Sequence, residues 1–464
     1  MPLRIVHVSD IHFHKDTYGW DANRDQRQEL ISDLKDIVLS EGPVDAILVG
    51  GDIAFSAEPE EYDTARRWLS DLVAVCGGID DSAVWTVPGN HDVSWAVLND
   101  CHIAQDFRGH LRECAATAVD EILRVRMSAD PAASGLFIPF KAYNDFAEQY
   151  ICRSTPTQPH WFDDTTLEVD GWTVRLTGLN SALTSDWDDH NFQQRASAAS
   201  PHAHDKREPS DLPALVLGTE QCRIPRAEHT IHVVMAHHPP EWIRDWDIVE
   251  PYMRRGHLWL FGHEHEYSAK QTVAYGSVQL SAGAVGPELD EGGETEPFVP
   301  AYSVITLSRT DDEMLAIRVQ PRYWSLRQTR FVEHPSGEQN YEVMRVPALP
   351  EQDHDTTDTS QGAPGGQATD ESTASSASSA SPLAADNDSG HEGPPTVARP
   401  DLRRIATQYM SRPATRRVAI GLELGVIEDS DLGSDHEGDL YALILERVRE
   451  RGLIEELAAK TAGA

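Results

Sequence analysis

The stretch AVWTVPGNHDVSW, Ala83 to Trp95, changes character in its middle. Ala83 to Val87 is a β-branched and aromatic run of strand composition. It stops at Pro88 and gives way to Gly89, Asn90, His91 and Asp92. Glycine and asparagine tolerate positive φ and close strands at little cost, so Gly-Asn-His-Asp reads as turn chemistry. The same residues also read as a presenting loop, because catalytic groups collect on loops beyond strand ends. The neighbouring segments decide between the two.

Upstream, RIVHVS (Arg4–Ser9) has strand character and breaks at Asp10, and Leu30, Ile31, Leu34, Ile37 and Val38 follow at helical spacing. VDAILVGGD (Val44–Asp52) is a second apolar run ending on Gly-Asp, and Tyr62, Ala65, Trp68, Leu69, Leu72 and Val73 form a second helical face before the opening stretch. Strand, helix, strand, helix, strand with short connections predicts an α/β unit with a mostly parallel sheet. In such sheets functional residues gather at the carboxyl ends of the strands. Downstream, Asn99 to Tyr150 has helical character, and TTLEVDGWTVRLTGLNSAL predicts a β-hairpin about Asp170-Gly171, followed by a polar loop from Asp186 to Pro213. TIHVVMAHHPP (Thr230–Pro240) and HLWLFGHEHE (His257–Glu266) are apolar runs that stop on histidine. VQLSAGAV, AYSVITLS and MLAIRVQPRYW predict more strands, enough for a second sheet.

The chain has 464 residues, a hydrophobic content of 40% and a formal charge of −37. Residues 1–350 carry −26 of that charge, a balance that repels long polyanions and leaves small anionic substrates as the expected class. No run of eighteen apolar residues is present, so no transmembrane helix is expected. Met1–Asp10 is strand-like, without a separate charged and apolar leader, and the five cysteines are scattered without a CxxC, which together predict a reducing cytoplasm. Residues 349–398 are acidic and rich in Ser, Ala, Gly and Thr, with almost no large apolar side chain. Such a segment cannot bury enough to offset its ordering entropy and is expected to be a disordered linker with an r.m.s. span of about 40 Å. From Arg399 the helical period returns, with Ile405 and Tyr409, Val418 and Leu422, Leu440 to Val448, and Leu453 to Leu457, predicting a small all-α bundle of four helices. The expected organisation is therefore a domain over 1–348, a linker over 349–398 and a helical domain over 399–464.

Five strand ends carry metal-competent residues: Asp10 with His12, Asp52, Asn90 with His91, His237, and His263 with His265. One such fragment alone reads as a helix cap or a solvated histidine, but independent turns have no reason to share one ligand set. The order DxH, GD, GNHD, H, GHxH, present as SDIH, GGDIA, PGNHD, AHHPP and FGHEH, resembles the calcineurin-like metallophosphoesterase superfamily over residues 4–265. The resemblance implies a two-sheet αββα sandwich. It also implies two divalent metal ions, the first held by Asp10, His12 and His265, the second by Asn90, His237 and His263, with Asp52 bridging. Two such ions about 3.5 to 4 Å apart share a hydroxide that serves as nucleophile. Asn90 would face a metal while His91 protonates the leaving oxygen or stabilises the transition state. Mixed N and O ligation fits Mn, Fe, Zn, Co or Ni, and the residue types do not choose among them.

Other residues carry weaker signals. His238 follows a proposed ligand and is a candidate for substrate contact; His14, His202 and His204 fall in loops. Trp20, Trp95 and Trp242 flank site loops, where they would stack on a base or pack in the rim. The GNHD and HHPP segments resemble the cyclic-nucleotide phosphodiesterase branch, which implies hydrolysis of small, nucleotide-like phosphodiesters. The competing expectations are a nuclease of the repair-exonuclease branch and an inactive binding protein that retains the fold. RRVAIGLELGV and LYALILERVRERGLIEELAAK resemble the death-like effector-associated domains of bacterial conflict systems, implying a protein partner for 399–464.

Overall fold

The computed structural model describes residues 1–15, 23–129, 133–185, 213–272, 276–286 and 299–344, with residues 414–427, 453–462 and isolated positions of the C-terminal segment. Thirteen strands are present among these: β1 (Leu3–Val8), β2 (Ala46–Val49), β3 (Val84–Thr86), β4 (Trp161–Val169), β5 (Trp172–Gly178), β6 (Thr230–Met235), β7 (Leu258–Phe261), β8 (Tyr267–Gln271), β9 (Val278–Ala282), β10 (Ala301–Arg309), β11 (Leu315–Ser325), β12 (Arg330–Glu333) and β13 (Gln339–Val343). They form two mixed sheets. One runs β12-β11-β10-β1-β2-β3 with β13 also on β11; the other runs β4-β5-β6-β7-β9-β8.

The parallel β1-β2-β3 core of the first sheet agrees with the strand and helix alternation, because the helices α1 (Arg24–Glu41) and α2 (Pro59–Val75) supply its crossovers. The hairpin at Asp170-Gly171 also forms, both residues taking positive φ (48° and 81°) to join the antiparallel β4 and β5. One expectation changes. AYSVITLS and the MLAIRVQPRYW segment become β10 and β11 of the first sheet, with β10 antiparallel on the edge of β1 opposite β2. Apolar alternation says that a strand is half-buried, but not which open edge it will pair with.

Period-two alternation divides the apolar side chains between two layers. Ile231, Val233 and Met235 of β6 and Leu258 and Leu260 of β7 join Ile5, Val8, Ile47 and Val304 in the main core shared by the sheets. Val234, Trp259 and Phe261, on the opposite face, pack with Trp242, Val249 and Met253. Each such fully buried aliphatic side chain stabilises the fold by roughly 1.5–3 kcal/mol. The helical stretch between Asn99 and Tyr150 forms as expected and contributes Phe107, Leu111 and Phe140 to a separate cluster.

In the C-terminal segment two helices are described, Ala414–Glu423 and Ile454–Ala462, with Ile420, Val426, Ile427 and Leu457 in a small core of their own. The described residues of the C-terminal segment fall in one compact unit with those of 1–348. The expected linker and most of the polar loop, residues 186–212, lie outside the described residues, as do parts of the expected four-helix bundle. Among the described residues no helix is long and apolar enough to cross a membrane.

Two buried histidines on strands tie stability to pH. Burial pushes His7 and His232 down to about 3 from an ordinary value of 6.5; the His257 imidazole lowers His232 further, while Asp10 partly opposes the shift at His7. Between pH 6.5 and 3 the unfolded chain therefore binds protons that the folded chain refuses. Stability is fully present above 6.5 and falls as the pH drops, by up to about 1.4 kcal/mol per unit for each group. Thermal unfolding of His232→Gln should lose less Tm between pH 7 and pH 4 than the unsubstituted chain does; an equal loss would mean that His232 does not titrate with folding.

Candidate functional site

The carboxyl ends of β1, β2, β3, β6 and β7 converge, and each delivers residues from its following turn. The loops after β1 and β2 are laced together by main-chain bonds: Asp10 N donates to Gly51 O (3.0 Å), and Ile11 N and His12 N both donate to Asp52 O (2.9 and 3.1 Å). Asp10, His12, Asp52, His263 and His265 all adopt left-handed backbone conformations, with φ between 49° and 70°. Non-glycine residues enter that region at a cost, and such strain gathers at functional sites. Close approach also requires glycine: a Cβ on Gly89 would run into the Asp52 carboxylate, and one on Gly262 into Ser9 Oγ.

The turn after β3 and the residues after β6 and β7 complete the cluster. His237 Nε2 lies 3.1 Å from Asp52 Oδ2, 3.9 Å from Asp10 Oδ1 and 3.2 Å from Asn90 Oδ1. His265 Nε2 and His12 Nε2 lie 3.4 and 3.9 Å from Asp10 Oδ1, and His12 Nε2 is 4.0 Å from Asp52 Oδ2. The ring of His263 stands 5.2 Å from that of His237. All seven expected ligands and His91 are thus brought to one place. Apart from Asn90, their donor atoms fall, with that of His238, into overlapping groups within 4.8 Å: Asp10, His12 and His265; Asp10, Asp52 and His237; His12, Asp52 and His91; and His237, His238 and His263.

Electrostatics sharpen the picture. Burial, reinforced by neighbouring imidazoles, holds His12 and His263 well below the usual histidine range, so both are neutral with a lone pair to offer. Burial alone would raise Asp52, but the imidazoles of His237 and His91 outweigh it and keep the carboxylate ionised. Burial alone would likewise depress His237, yet Asp52 and Asp10 together push it up to about 9. Among the described residues, Asp10 and Asp52 have histidines as their ion-pair partners and no Lys or Arg. His237 Nδ1–H donates to Gly50 O at 2.8 Å. Its Nε2 therefore faces the oxygens of Asp52 and Asn90 with either a proton or a lone pair. A cation satisfies that convergence, and the donor set of carboxylate, amide oxygen and imidazole suits a divalent transition metal.

His91 occupies a different position. Its N–H donates to Asp52 Oδ1 (2.8 Å) and its Nδ1–H to Phe55 O (2.8 Å), which leaves proton exchange to Nε2. It keeps 9% of its surface open to solvent, whereas Asp10, His12 and His237 have none.

Sequence reasoning overlooked Asp92, although it stands in the quoted turn. Fully buried, its carboxylate accepts from Gly89 N (2.9 Å), Ile53 N (3.3 Å), Ala54 N (3.2 Å) and Tyr62 Oη (2.8 Å). It binds the loop carrying Asp52 to the loop carrying Asn90 and His91. Burial first and the Asp52 charge second push its carboxyl up to about 6. Of the weaker candidates, His14 stacks on Phe55 at 4.0 Å, Trp95 packs beside the helical cluster, and Trp242 is buried edge-on against His263 at 4.2 Å. Trp20, His202 and His204 lie outside the described residues.

A family model described as calcineurin-like phosphoesterase matches residues 3–267. An uncharacterized metallophosphoesterase-like protein of Bacillus subtilis, YydB, is 30% identical over 94 residues, which is 20% of this chain and 18% of that protein. Among solved structures, the purple acid phosphatase PPD1 of yellow lupin aligns with a TM-score of 0.35 and 11% identity over 70% of this chain and 52% of its own. A putative 5'-nucleotidase from Staphylococcus aureus aligns with a TM-score of 0.31 and 12% identity over 74% of this chain and 55% of its own. The chain thus spans about a fifth of the curated relative and about half of each of these two structures.

The Asp92 hub yields a graded expectation. Tyr62→Phe removes one donor from a buried carboxylate and should cost about 1–3 kcal/mol, read as a lower Tm. Asp92→Asn turns an amide N–H₂ toward backbone donors and should lower Tm further, with the metal-to-protein ratio falling as Asp52 and Asn90 lose their spacing. An Asp92→Asn protein with unchanged Tm and unchanged metal content would rule the hub out.

Proposed function

The chain belongs to the calcineurin-like phosphoesterase family, and on that premise we propose that it is a dinuclear-metal phosphohydrolase acting on small, nucleotide-like phosphodiesters. The observation that carries this reading is the convergence of His237 Nε2 on the oxygens of Asp52 and Asn90, beside Asp10, with no Lys or Arg paired to either carboxylate among the described residues. Asp10, His12 and His265 would hold one ion and Asn90, His237 and His263 the other, with Asp52 shared between them. When bound, a pair of divalent ions supplies Lewis-acid charge to the phosphoryl oxygens and activates water near neutral pH.

The remaining work falls to the chain's own residues. The neutral imidazoles of His12 and His263 add affinity without adding charge, so the two carboxylates leave the site cationic enough to receive a phosphoryl group. His91, held at its Nδ1 by Phe55 O and at its backbone N–H by Asp52 Oδ1, delivers a proton to the leaving oxygen. The −26 charge of residues 1–350 supports a small substrate over a long polyanion. Residues 399–464 serve in this reading as a protein-interaction segment, on the resemblance to effector-associated domains drawn from RRVAIGLELGV and LYALILERVRERGLIEELAAK.

Two substitutions separate the roles. Asp52→Asn removes the shared anionic oxygen, so metal content and turnover should fall together. His91→Asn should keep metal content near that of the unsubstituted chain while lowering turnover about 100- to 10,000-fold, the usual worth of a positioned acid. Loss of metal from the His91 variant would refute this division of labour.

Substrate class is tested by a panel of bis-p-nitrophenyl phosphate, p-nitrophenyl phosphate, cyclic nucleotides, single-stranded DNA and long duplex, each with Mn²⁺. The expected order puts a small diester first, with any DNA cleavage strongly salt-sensitive. Duplex cleavage at physiological salt that exceeds every small diester would assign the chain to the nucleases instead.

A further inference from the structure

His238 and Ser181 sit at the carboxyl ends of neighbouring parallel strands, β6 and β5, whose alignment is fixed by Leu179 N donating to Met235 O at 2.8 Å. Both side chains are buried, His238 with 1% exposure and Ser181 with none. Its Nδ1 lies 3.0 Å from Ser181 Oγ, its backbone N–H donates to the same Oγ at 3.0 Å, and its Nε2 lies 3.2 Å from Asn90 Oδ1. From this chain of contacts we propose that His238 is a positioning residue: anchored by Ser181, it donates to Asn90 Oδ1 and keeps that oxygen, not the amide nitrogen, turned toward the metal centre. The inference rests on the dinuclear reading above and adds a residue to it.

Hydrogen-bond accounting carries the assignment. Ser181 has one proton. Its Oγ accepts from the His238 backbone, and in the proposed arrangement it donates that proton to Nδ1. A neutral imidazole that accepts at Nδ1 carries its hydrogen on Nε2, so Nε2–H points at Asn90. Only the oxygen of the Asn90 amide can accept it; the flipped amide would set N–H against N–H. Oδ1 has two lone pairs. His238 takes one, and the other remains on the side where His237 Nε2 lies, 3.2 Å away. The His238 ring is wedged 4.7 Å from the His237 ring and 4.5 Å from that of His263, which holds it in this orientation. Outer groups that orient a ligand in this way typically alter metal affinity 10- to 100-fold.

The test is calorimetric titration of the metal-free full chain with Mn²⁺, comparing the unsubstituted protein with His238→Ala, His238→Gln and Ser181→Ala, each checked for an unchanged circular dichroism spectrum. The expected result is two bound ions in the unsubstituted chain, with His238→Ala weakening one about 10- to 100-fold and leaving the other unchanged. Ser181→Ala should weaken the same ion by less. His238→Gln, which keeps an N–H donor near the Nε2 position, should recover most of the loss. Should His238→Ala misfold, the contrast between His238→Gln and Ser181→Ala still decides. Unchanged affinity for both ions in His238→Ala and Ser181→Ala would overturn the proposal. So would a glutamine variant no better than alanine, because the imidazole would then be a ligand itself. A chain that binds no Mn²⁺ in any form would instead remove the metal centre on which the inference stands.

Discussion

Two carboxylates, Asp10 and Asp52, are buried together at the meeting edge of two sheets with histidines as their ion-pair partners, and much of the site's construction follows from that. Burying an anion without a counter-charge is expensive, and burying two is more so. In the metal-free chain the strain is relieved by a proton on His237, pushed up to about 9 by the same carboxylates once burial is outweighed. That proton occupies the place where the nitrogen of His237 converges with the oxygens of Asp52 and Asn90. Metal binding and protonation of His237 are therefore competing solutions to one electrostatic problem.

Holding those anions in register demands a backbone that most residues would not adopt. Asp10, His12, Asp52, His263 and His265 are left-handed, and Gly89 and Gly262 stand where any side chain would collide with the ligands or their neighbours. Strain of this kind persists only if the surroundings over-determine it. The main-chain bonds between the β1 and β2 loops, the Asp92 carboxylate with its four donors, and the closely packed strands beneath supply that constraint. Asp92 thus acts on the site through Asp52, Asn90 and His91, and Ser181 acts through His238 in the same indirect manner.

The layout also shows how one turn can place two neighbouring side chains differently. Asn90 meets His237 Nε2 through its Oδ1, while the His91 ring is held by Phe55 O beside His12 and Asp52. Adjacent residues on a tight turn project in different directions, so a single Gly-Asn-His-Asp sequence brings two neighbouring side chains to different partners in the cluster.

The sequence by itself determined the elements and a set of metal-competent residues at strand ends. Apolar periodicity located β1 to β3 and their crossover helices, Asp170-Gly171 marked a hairpin, and the residues stopping each apolar run picked out Asp10, His12, Asp52, Asn90, His91, His237, His263 and His265, all of which meet. These are local signals, written in the spacing of neighbouring residues. Tertiary structure alone decided that β10 and β11 complete the first sheet, that Asp92 receives donors from three separate segments, and that Ser181, after β5, meets His238, after β6. Each of those depends on which open edge, lone pair or hydroxyl proton finds a partner far along the chain. Spacing along one strand carries no information about such a pairing, because the partner is chosen only when the sheets close.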